Sequence, residues 1–401
     1  MNEKERKYYK IIGKMKTGAG MENTPEEALS VCIKLLIDGG IADHAAVWYR
    51  HGDVIKPIYW LCPAELISAF YKPEEGIVGR VFSSAETEII NDFASSPDEK
   101  TAEIFSGTDI SACICLPVFA GESLLGCVQL IKCGGGFSRD DMNVFEILSL
   151  LLQIRFDEYV MKLPDKTHGK ILLSARNIKK SFGKGENSTE VLRGINLDVA
   201  EGEFICILGE SGCGKSTLLN ILGGILGADD GSLTFDGSDI THMSRKELTR
   251  YRRENIGFVF QAYNLMPNLN AEENVRFIAE LSDNPRDAGE LLSMLGICEK
   301  TENYPYQLSG GQLQRVSIAR ALAKSPHIVL ADEPTAALDY ETGIGVLSAF
   351  ENVIKNKTTL IMVTHNTEIA KMADRVIRLR GGKIYESFVN IAPKKASELV
   401  W

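Results

Sequence analysis

A glycine-rich loop carries the strongest chemical signal in the sequence. The loop consists of Gly209, Glu210, Ser211, Gly212, Cys213, Gly214, Lys215, Ser216 and Thr217. It lies between the largely apolar residues 203–208, which predict a buried strand, and the residues 218–222, which predict a helix. In that context backbone N–H groups and the helix N-terminus bind phosphate oxygens, the lysine contacts the outer phosphates, and the next hydroxyl binds Mg²⁺. The loop therefore predicts a site for a chain of phosphates, with Lys215 and Ser216 as its principal side chains.

Polar residues also follow three later apolar runs, each of which predicts a buried strand. The first run ends at Gln261, the second at Asp332 and Glu333, and the third at His365. Because predicted helices alternate with these strands, the sequence predicts a parallel α/β sheet. Ligands of such sheets bind at the C-terminal ends of the strands, so these side chains are expected beside the glycine-rich loop. The upstream Phe182 is an aromatic residue that can stack on a purine ring there.

The composition is that of an ordinary soluble globular protein. The 401 residues have room for two or three domains, and 44% of them are hydrophobic and 24% charged. The longest apolar stretch, about residues 147–154, is far shorter than the roughly 20 residues of a membrane span, and the charged N-terminus argues against a secretory signal. No large basic block is present in the sequence, which argues against nucleic acid as a main partner.

Cysteine spacing and the charge of the N-terminus bear on compartment and partners. The nine cysteines stand at irregular spacings without paired C-x-x-C sets. They are therefore interpreted as reduced thiols of a cytosolic protein and not as a disulfide or zinc framework. Residues 1–20 carry six Lys or Arg against two Glu. Such a segment can contact anionic lipid, but a frayed, solvated terminus is the favoured interpretation.

The first part of the chain has the pattern of an α+β domain. Thr24–Glu27 is a capping box with proline at the first helical position, so a helix is expected to begin there. Residues 113–119 and 124–132 predict a central antiparallel hairpin. A capped amphipathic helix is expected from Ser138 to about residue 162, before a predicted linker at residues 164–170. The order of helix, sheet and helix predicts an α+β domain.

This first domain resembles a GAF sensor domain over about residues 24–160. The likeness rests on Gly76–Phe82, Leu116–Val118, Leu125–Leu130 and Phe137–Asp141. The resemblance implies a pocket for a small ligand such as a cyclic nucleotide, a tetrapyrrole or a metabolite. A dimerisation module without a pocket is the alternative. Four cysteines of this domain are interpreted as buried core thiols and not as cofactor ligands. They are Cys113, Cys115, Cys127 and Cys133.

The second part of the chain closely resembles the nucleotide-binding subunit of an ABC transporter over about residues 171–390. Several motifs stand in the order and spacing of that family. They are the phosphate loop, Gln261, Leu308–Gln312, Asp332–Glu333, Asp339 and His365. Tyr304–Leu308 and Phe260–Leu265 look most like the lipoprotein-release and macrolide-export branch of the family. The resemblance implies an α/β P-loop NTPase fold of ABC type with a helical subdomain.

The resemblance also implies a role for each motif. Asp332 is expected to orient Mg²⁺ through water, and Gln261 to sense the metal and the attacking water. Glu333 is expected to polarise this water as the general base, while His365 contacts the γ-phosphate. A second anion site is implied at a helix N-terminus, where it closes on the ATP of the other protomer in a head-to-tail homodimer. The nucleotide-binding residues outside the phosphate loop are then Phe182, Ser309, Gly310, Gly311, Gln312 and Asp339.

The sequence thus predicts an active ATPase that powers a separate multi-span membrane permease and carries a fused regulatory domain. The expected organisation is a basic segment (1–20), a sensor (21–163), a linker (164–170), the ATPase (171–390) and a tail (391–401). The protein is expected in the cytoplasm on the inner face of the cell membrane, with residues 263–269 contacting the permease. The alternative is a soluble signalling ATPase without a transport role. A multi-span protein that co-purifies would distinguish the two.

Overall fold

A computed structural model divides the chain into two compact units. The first unit is Met1–Asp165 together with Tyr385–Ala392, and the second is Lys166–Ile384 together with Pro393–Trp401. The residues that the structure describes are 3–18, 25–51, 53–63, 65–120, 123–139, 141–142, 144–149, 170–183, 188–336, 338–355, 358–390 and 392–400. Each unit has apolar core clusters of its own.

The first unit is built around an antiparallel sheet. The strands are β1 (His44–His51), β2 (Val54–Leu61), β3 (Glu88–Ile90), β4 (Ala112–Ala120), β5 (Ser123–Lys132) and β15 (Lys383–Val389, of which residues 385–389 belong to this unit). Within this unit they follow the order β15-β2-β1-β5-β4-β3. The helices are α1 (Glu3–Gly18), α2 (Pro25–Asp38), α3 (Gly76–Ser84) and α4 (Glu99–Ile104), with further helical residues at 144–149.

Apolar side chains cover both faces of this sheet, as the alternation of its strands requires. Along β4, Ile114 and Leu116 belong to one buried cluster, whereas Cys113 and Cys115 belong to the other. All nine cysteines are free thiols, in agreement with the interpretation of reduced cysteines. The buried core thiols include Cys113, Cys115 and Cys127, whereas Cys133 is only half-buried.

The basic N-terminal segment is a packed helix, contrary to the expectation of a frayed terminus. Ile11 and Met15 of α1 stand four residues apart, which places them on one helix face, and both are buried in the core of the first unit. The hydroxyl of Tyr8 donates a hydrogen bond to the carboxylate of Asp141. The sequence interpretation weighed the charge of this segment and missed the short apolar stripe that buries it.

The C-terminal part of the chain also differs from the expected organisation. Residues 385–390 were expected in the ATPase domain, but Tyr385–Ala392 belongs to the first unit. There Ser387 pairs with Trp60, and Phe388 pairs with Tyr59, along the edge of β2. Strand pairing of this kind depends on residues far away in the sequence, so the local strand pattern gave no sign of it.

The predictions for the helices and turns of the first domain are confirmed only in part. The helix expected after Thr24 begins at Pro25 as α2. The expected cap at Ser138 is present, because Ser138 Oγ accepts from the N–H of Asp141 at 3.3 Å and the Asp141 carboxylate accepts from the N–H of Ser138 at 2.7 Å. The hairpin turn at residues 121–122, the helix beyond residue 149 and the linker up to residue 169 lie outside the described residues.

The second unit contains two sheets. The antiparallel sheet has the order β10-β9-β6-β7, and the parallel strands follow the order β11-β12-β13-β8-β14. Their bounds are β6 (Ile171–Phe182), β7 (Thr189–Ala200), β8 (Phe204–Gly209), β9 (Asp230–Phe235), β10 (Ser238–Asp239), β11 (Ile256–Val259), β12 (Ile328–Asp332), β13 (Thr359–Thr364) and β14 (Arg375–Arg380). Strands β8, β11, β12 and β13 are buried and largely apolar, as a sheet covered on both faces requires, whereas β14 carries three arginines, Arg375, Arg378 and Arg380.

Helices connect and cover these strands. They are α5 (Lys215–Leu222), α6 (Arg245–Asn255), α7 (Ala271–Ala279), α8 (Ala288–Met294), α9 (Gly310–Leu322), α10 (Tyr340–Lys355) and α11 (Thr367–Ala370), with 3₁₀ turns at Cys298–Lys300, Pro305–Gln307 and Ala396–Glu398. The sequence predicted one helical stretch from 271 to about 324. The structure breaks it near Pro285, at Gly296 with its φ of +70°, and at Pro305.

The predicted fold classes are confirmed in both units. The first is an α+β domain, and the second is an α/β domain with a phosphate loop between β8 and α5 and with α7 to α9 as a helical part. None of the helices in the described ranges has the length and apolar character needed to cross a membrane.

Candidate functional site

An open cleft of about 590 Å³ lies at the C-terminal ends of the parallel strands of the second unit. Most of the predicted site residues line it, because strands β8, β12 and β13 all end at this edge. The predicted residues in its wall are Phe182, Ser211, Gly212, Gly214, Lys215, Ser216, Thr217, Gln261, Asp332, Glu333 and His365. The structure therefore brings together groups that are up to 183 positions apart in the chain, as the alternating pattern of strands and helices predicted.

The glycines of the phosphate loop meet steric and conformational demands. Gly212 and Gly214 have φ of +78° and +105°, a region that side chains strongly disfavour. A Cβ at Gly214 would lie 2.7 Å from Leu192 and 3.0 Å from the carbonyl oxygen of Val191. The loop therefore runs close over β7, and the helix α5 begins directly after it at Lys215.

Lys215 lies folded across its own loop. Its side chain is buried, and Nζ donates to the carbonyl oxygens of Gly209 at 2.8 Å and Glu210 at 2.9 Å. The predicted residues Gly209 and Glu210 thus contact the Lys215 ammonium through their carbonyl groups and do not line the cleft themselves. Cys213 packs behind the loop, since its sulfur lies 2.6 Å from where a Cβ of Gly209 would be. A buried ammonium held by neutral carbonyls favours an anion such as a phosphate beside it.

Ser216 and Asp332 form a second polar pair in the cleft. The Ser216 hydroxyl donates to the Asp332 carboxylate at 3.0 Å. Burial raises the pKa of Asp332 above its usual range, while the hydrogen bond from Ser216 and the charge of Lys215 act in the opposite direction. Together with the Gln261 amide, this set offers hydroxyl, carboxylate and amide oxygens. Such hard oxygen donors fit Mg²⁺, and a cation beside Asp332 would favour its ionised form.

Glu333 and His365 form a third pair, directly next to the second. The carboxylate oxygens of Glu333 lie 3.0 and 3.1 Å from Nδ1 of His365. Glu333 has a φ of +47°, and its N–H donates to the carbonyl oxygen of Val363 at 2.9 Å. The Glu333 side chain is 16% exposed and the His365 side chain 66% exposed. A carboxylate thus faces the cleft with a ring nitrogen to orient it, which suits a group that accepts a proton from water.

The predicted second anion site is separate from this cleft within one chain. Ser309 caps α9: its Oγ accepts from the N–H of Gln312 at 3.4 Å, and the Gln312 side chain accepts from the N–H of Ser309 at 2.9 Å. Gly311 has no room for a side chain, because a Cβ would lie 2.1 Å from Thr342. Asp339 accepts a hydrogen bond from the N–H of Thr342 at 3.0 Å at the start of α10. None of these residues appears among those that line the described cleft.

Two residues of the cleft were missed by the sequence analysis. Val191 and Ala336 contribute apolar surface to its wall. Neither has a chemical signature, because an apolar residue in a strand or a turn has the same pattern as a core residue. Only the fold shows that they face the cleft.

Comparison with known proteins agrees with the fold of both units. The family model described as ABC transporter matches residues 192–336, and the model described as GAF domain matches residues 22–156. The uncharacterized ABC transporter ATP-binding protein MJ1508 of Methanocaldococcus jannaschii is 44% identical over 220 residues, which are 54% of this chain and 98% of the relative. The chain therefore belongs to the ABC transporter ATP-binding proteins, and it carries a GAF domain before the ATPase.

Further relatives are longer proteins. The macrolide export ATP-binding/permease protein MacB of Escherichia coli K12 is 44% identical over 218 residues, and the pyoverdine export ATP-binding/permease protein PvdT of Pseudomonas fluorescens is 45% identical over 219 residues. Each match covers 53% of this chain but only 34% and 33% of the relative, so the chain spans about a third of their length.

A solved structure shows the same ATPase fold. A dimeric post-hydrolysis state of the ATP-binding cassette MJ0796 bound to ADP and Pi matches with 37% identity and a TM-score of 0.51, covering 54% of this chain and 98% of that one. The second unit thus has the fold of an ABC-type ATP-binding cassette.

Proposed function

We propose that the chain is the ATP-hydrolysing subunit of a transport system whose membrane-spanning permease is a separate chain, and that the GAF domain regulates it. The observation that carries the ATPase role is the convergence of Lys215, the Ser216–Asp332 pair and the Glu333–His365 pair on one cleft. The match to the ABC transporter ATP-binding protein MJ1508 over 98% of its length supports the ATP-binding role.

The cleft residues divide the work of hydrolysis among them. The loop N–H groups and Lys215 hold the phosphates of ATP, and the Phe182 ring lies at the rim, where it can stack on the adenine. Ser216, Asp332 and Gln261 would hold Mg²⁺, which neutralises phosphate charge when bound. Glu333 accepts a proton from the water whose oxygen bonds to the γ-phosphorus, as the bond to the ADP oxygen breaks. His365 orients the Glu333 carboxylate and contacts the γ-phosphate.

The proposal includes a head-to-tail homodimer. Ser309, Gly310 and Gly311 lie away from the cleft of their own chain, so they are free to complete the cleft of a second copy. A helix N-terminus, here with Ser309 exposed at its start, suits the outer phosphates of a bound ATP. The dimeric state of the matched cassette MJ0796 supports this arrangement.

The transport role places the protein in the cytoplasm on the inner face of the cell membrane, and a pull-down from native membranes tests it. Tagged wild-type protein should retain a multi-span protein, because residues 263–269 contact the permease. Pro267→Asp should lose it, since Pro267 is exposed in that segment, whereas the control Ser238→Asp on β10 should keep it. Recovery of full ATPase activity without any membrane protein, from wild type and both variants alike, would favour the soluble signalling ATPase instead.

A further inference from the structure

Two residues after Gln261 the backbone enters an unfavourable conformation twice in succession. Tyr263 has a φ of +59° and Asn264 a φ of +52°. Neither is glycine: asparagine adopts the left-handed region more readily than most residues, whereas this conformation costs a tyrosine roughly 1–2 kcal/mol. Such a conformation persists only where surrounding groups hold it.

The helix α9 holds it through two polar side chains. The hydroxyl of Ser317 donates to the carbonyl oxygen of Tyr263 at 3.2 Å, and Nη2 of Arg320 donates to the same oxygen at 2.8 Å. The other guanidinium nitrogen, Nη1, donates to the carbonyl oxygen of Asn264. Burial lowers the pKa of Arg320, and none of the ion pairs found among the described residues includes it. Its charge is therefore directed at the two strained carbonyl groups.

The Tyr263 side chain reaches the other end of the same helix. Its hydroxyl oxygen lies 3.1 Å from where a Cβ of Gly310 would be. Gly310 and Ser317 are seven residues apart, so they lie on one face of α9 two turns from each other. Tyr263 thus lies along this face, with its carbonyl at Ser317 and its hydroxyl beside the capped N-terminus that begins at Ser309.

The rest of the loop is held just as firmly. Asn274 of α7 is fully buried; its side chain accepts from the N–H of Met266 at 2.8 Å and donates to the carbonyl oxygens of Met266, Leu269 and Asn270 at 2.9 to 3.1 Å. Residues 263–270 are therefore fixed to helices α7 and α9, while Gln261 follows the parallel strand β11. A movement of α9 would therefore move Tyr263 and Asn264, which closely follow Gln261 in the chain.

We propose that Arg320 is a positioning residue that couples the two ATP sites of the dimer. It fixes Tyr263 and Asn264, which follow Gln261, to α9. When Ser309 closes on the ATP of the partner, Gln261 is therefore set in position in the cleft of its own chain. This inference rests on the proposed function. Arg320 touches no reacting atom and acts through Tyr263 and Asn264.

Kinetics of Arg320 variants test the coupling. Arg320→Met keeps the apolar stem and loses all donors, and Arg320→Lys keeps the charge but cannot serve both carbonyls in the planar geometry of a guanidinium. Arg320→Met should lower kcat about tenfold or more and bring the Hill coefficient for ATP to one, a change within the usual range of coupling between sites. Arg320→Lys should give an intermediate value. The affinity of a single protomer for ATP should be unchanged in both variants.

Two further variants keep the test clear of folding effects. Arg250→Met removes an exposed arginine paired with Glu254 on α6 and should leave all values unchanged. Ser317→Ala removes one of the three hydrogen bonds and should reduce kcat less than Arg320→Met. This milder variant still tests the coupling if Arg320→Met fails to fold. Unchanged kcat and cooperativity in Arg320→Met, or a loss matched by equal losses of ATP affinity and melting temperature, would overturn the coupling. A wild-type protein without ATPase activity would overturn the proposed function as well.

Discussion

At the scale of single residues, Glu333 combines an unfavourable backbone with a well-placed carboxylate. Its φ of +47° is a conformation that glutamate rarely adopts, yet its N–H is held by the carbonyl of Val363 and its carboxylate by His365. Unfavourable backbone conformations of this kind gather at functional sites, because the surrounding structure supports them. The position therefore favours a role for Glu333 in the reaction over a structural one.

Replacing Glu333 by Gln keeps the size and shape of the side chain but removes the base. ATP hydrolysis should fall at least about 10²-fold, the usual scale for the loss of a general base, while ATP binding persists and a closed dimer accumulates. The measurements are kcat, equilibrium ATP binding and the mass of the complex in ATP. The control Glu341→Gln changes an exposed carboxylate on α10 and should have no effect. Near-full turnover of Glu333→Gln would show that another group is the base.

At the scale of elements, the cleft was predictable because most of its polar residues follow a recognisable strand. Apolar runs that end at Asp332 and His365 become neighbouring parallel strands, and their ends must meet at one edge of the sheet. The backbone of Tyr263 and Glu333 was not predictable, since no local pattern demands a positive φ at a non-glycine residue. It follows from contacts that only the assembled fold supplies.

The separation of Ser309 from the cleft predicts how two elements complete each other in a dimer. Lys215→Ala should lose nucleotide binding, and Ser309→Arg should keep ATP binding by the monomer but block closure through bulk and charge. Each variant alone should be inactive. A mixture should regain activity, because each mixed dimer has one cleft with Lys215 and Ser309 both intact.

The steady-state ATPase rate of the mixture against each variant alone is the measurement. Ser309→Asn serves as the matched control, because asparagine also caps a helix without the added bulk and charge, so α9 should keep its stability. Full activity of both single variants would rule out a site shared between protomers.

At the scale of the whole molecule, the C-terminal segment Tyr385–Ala392 completes the first unit. Glu386 is fully buried there and accepts hydrogen bonds from Ser30 at 2.6 Å and Tyr59 at 3.1 Å, with Nζ of Lys34 at 2.7 Å. These partners stand more than 300 positions away in the sequence. A local reading of residues 383–389 shows a strand but cannot show which unit will pair with it.

Glu386→Ala should therefore destabilise the first unit selectively. Loss of the carboxylate removes the hydrogen-bond acceptor of Ser30 and Tyr59 and the ion pair with Lys34, at a cost of about 3 kcal/mol. This is the low end for breaking a buried pair, because Lys34 is 30% exposed. Glu386→Gln should cost less, since its amide oxygen still accepts hydrogen bonds. Thermal unfolding and limited proteolysis of the full chain measure the effect, with the exposed Glu302→Ala as control. Equal melting of all four proteins would show that the segment contributes little to the sensor.

The same segment bears on how the sensor could regulate the ATPase. The first unit joins the second through the chain at residue 165 and again around residues 384 and 392. A ligand that changes the first unit can therefore bias the ATPase through either connection, which is a coupling between two distinct sites.

We predict that cyclic nucleotides or a tetrapyrrole such as haem, when they bind the full chain, change its ATPase rate. A chain lacking residues 1–165 should hydrolyse ATP without any response, and Glu386→Ala should weaken the response by loosening the second connection. The measurement is the ATPase rate against each compound for the three proteins, together with binding to each. A compound that binds the full chain but shifts full-length and truncated rates equally, or shifts neither, would make the GAF domain a tether or a dimerisation module and not a regulator.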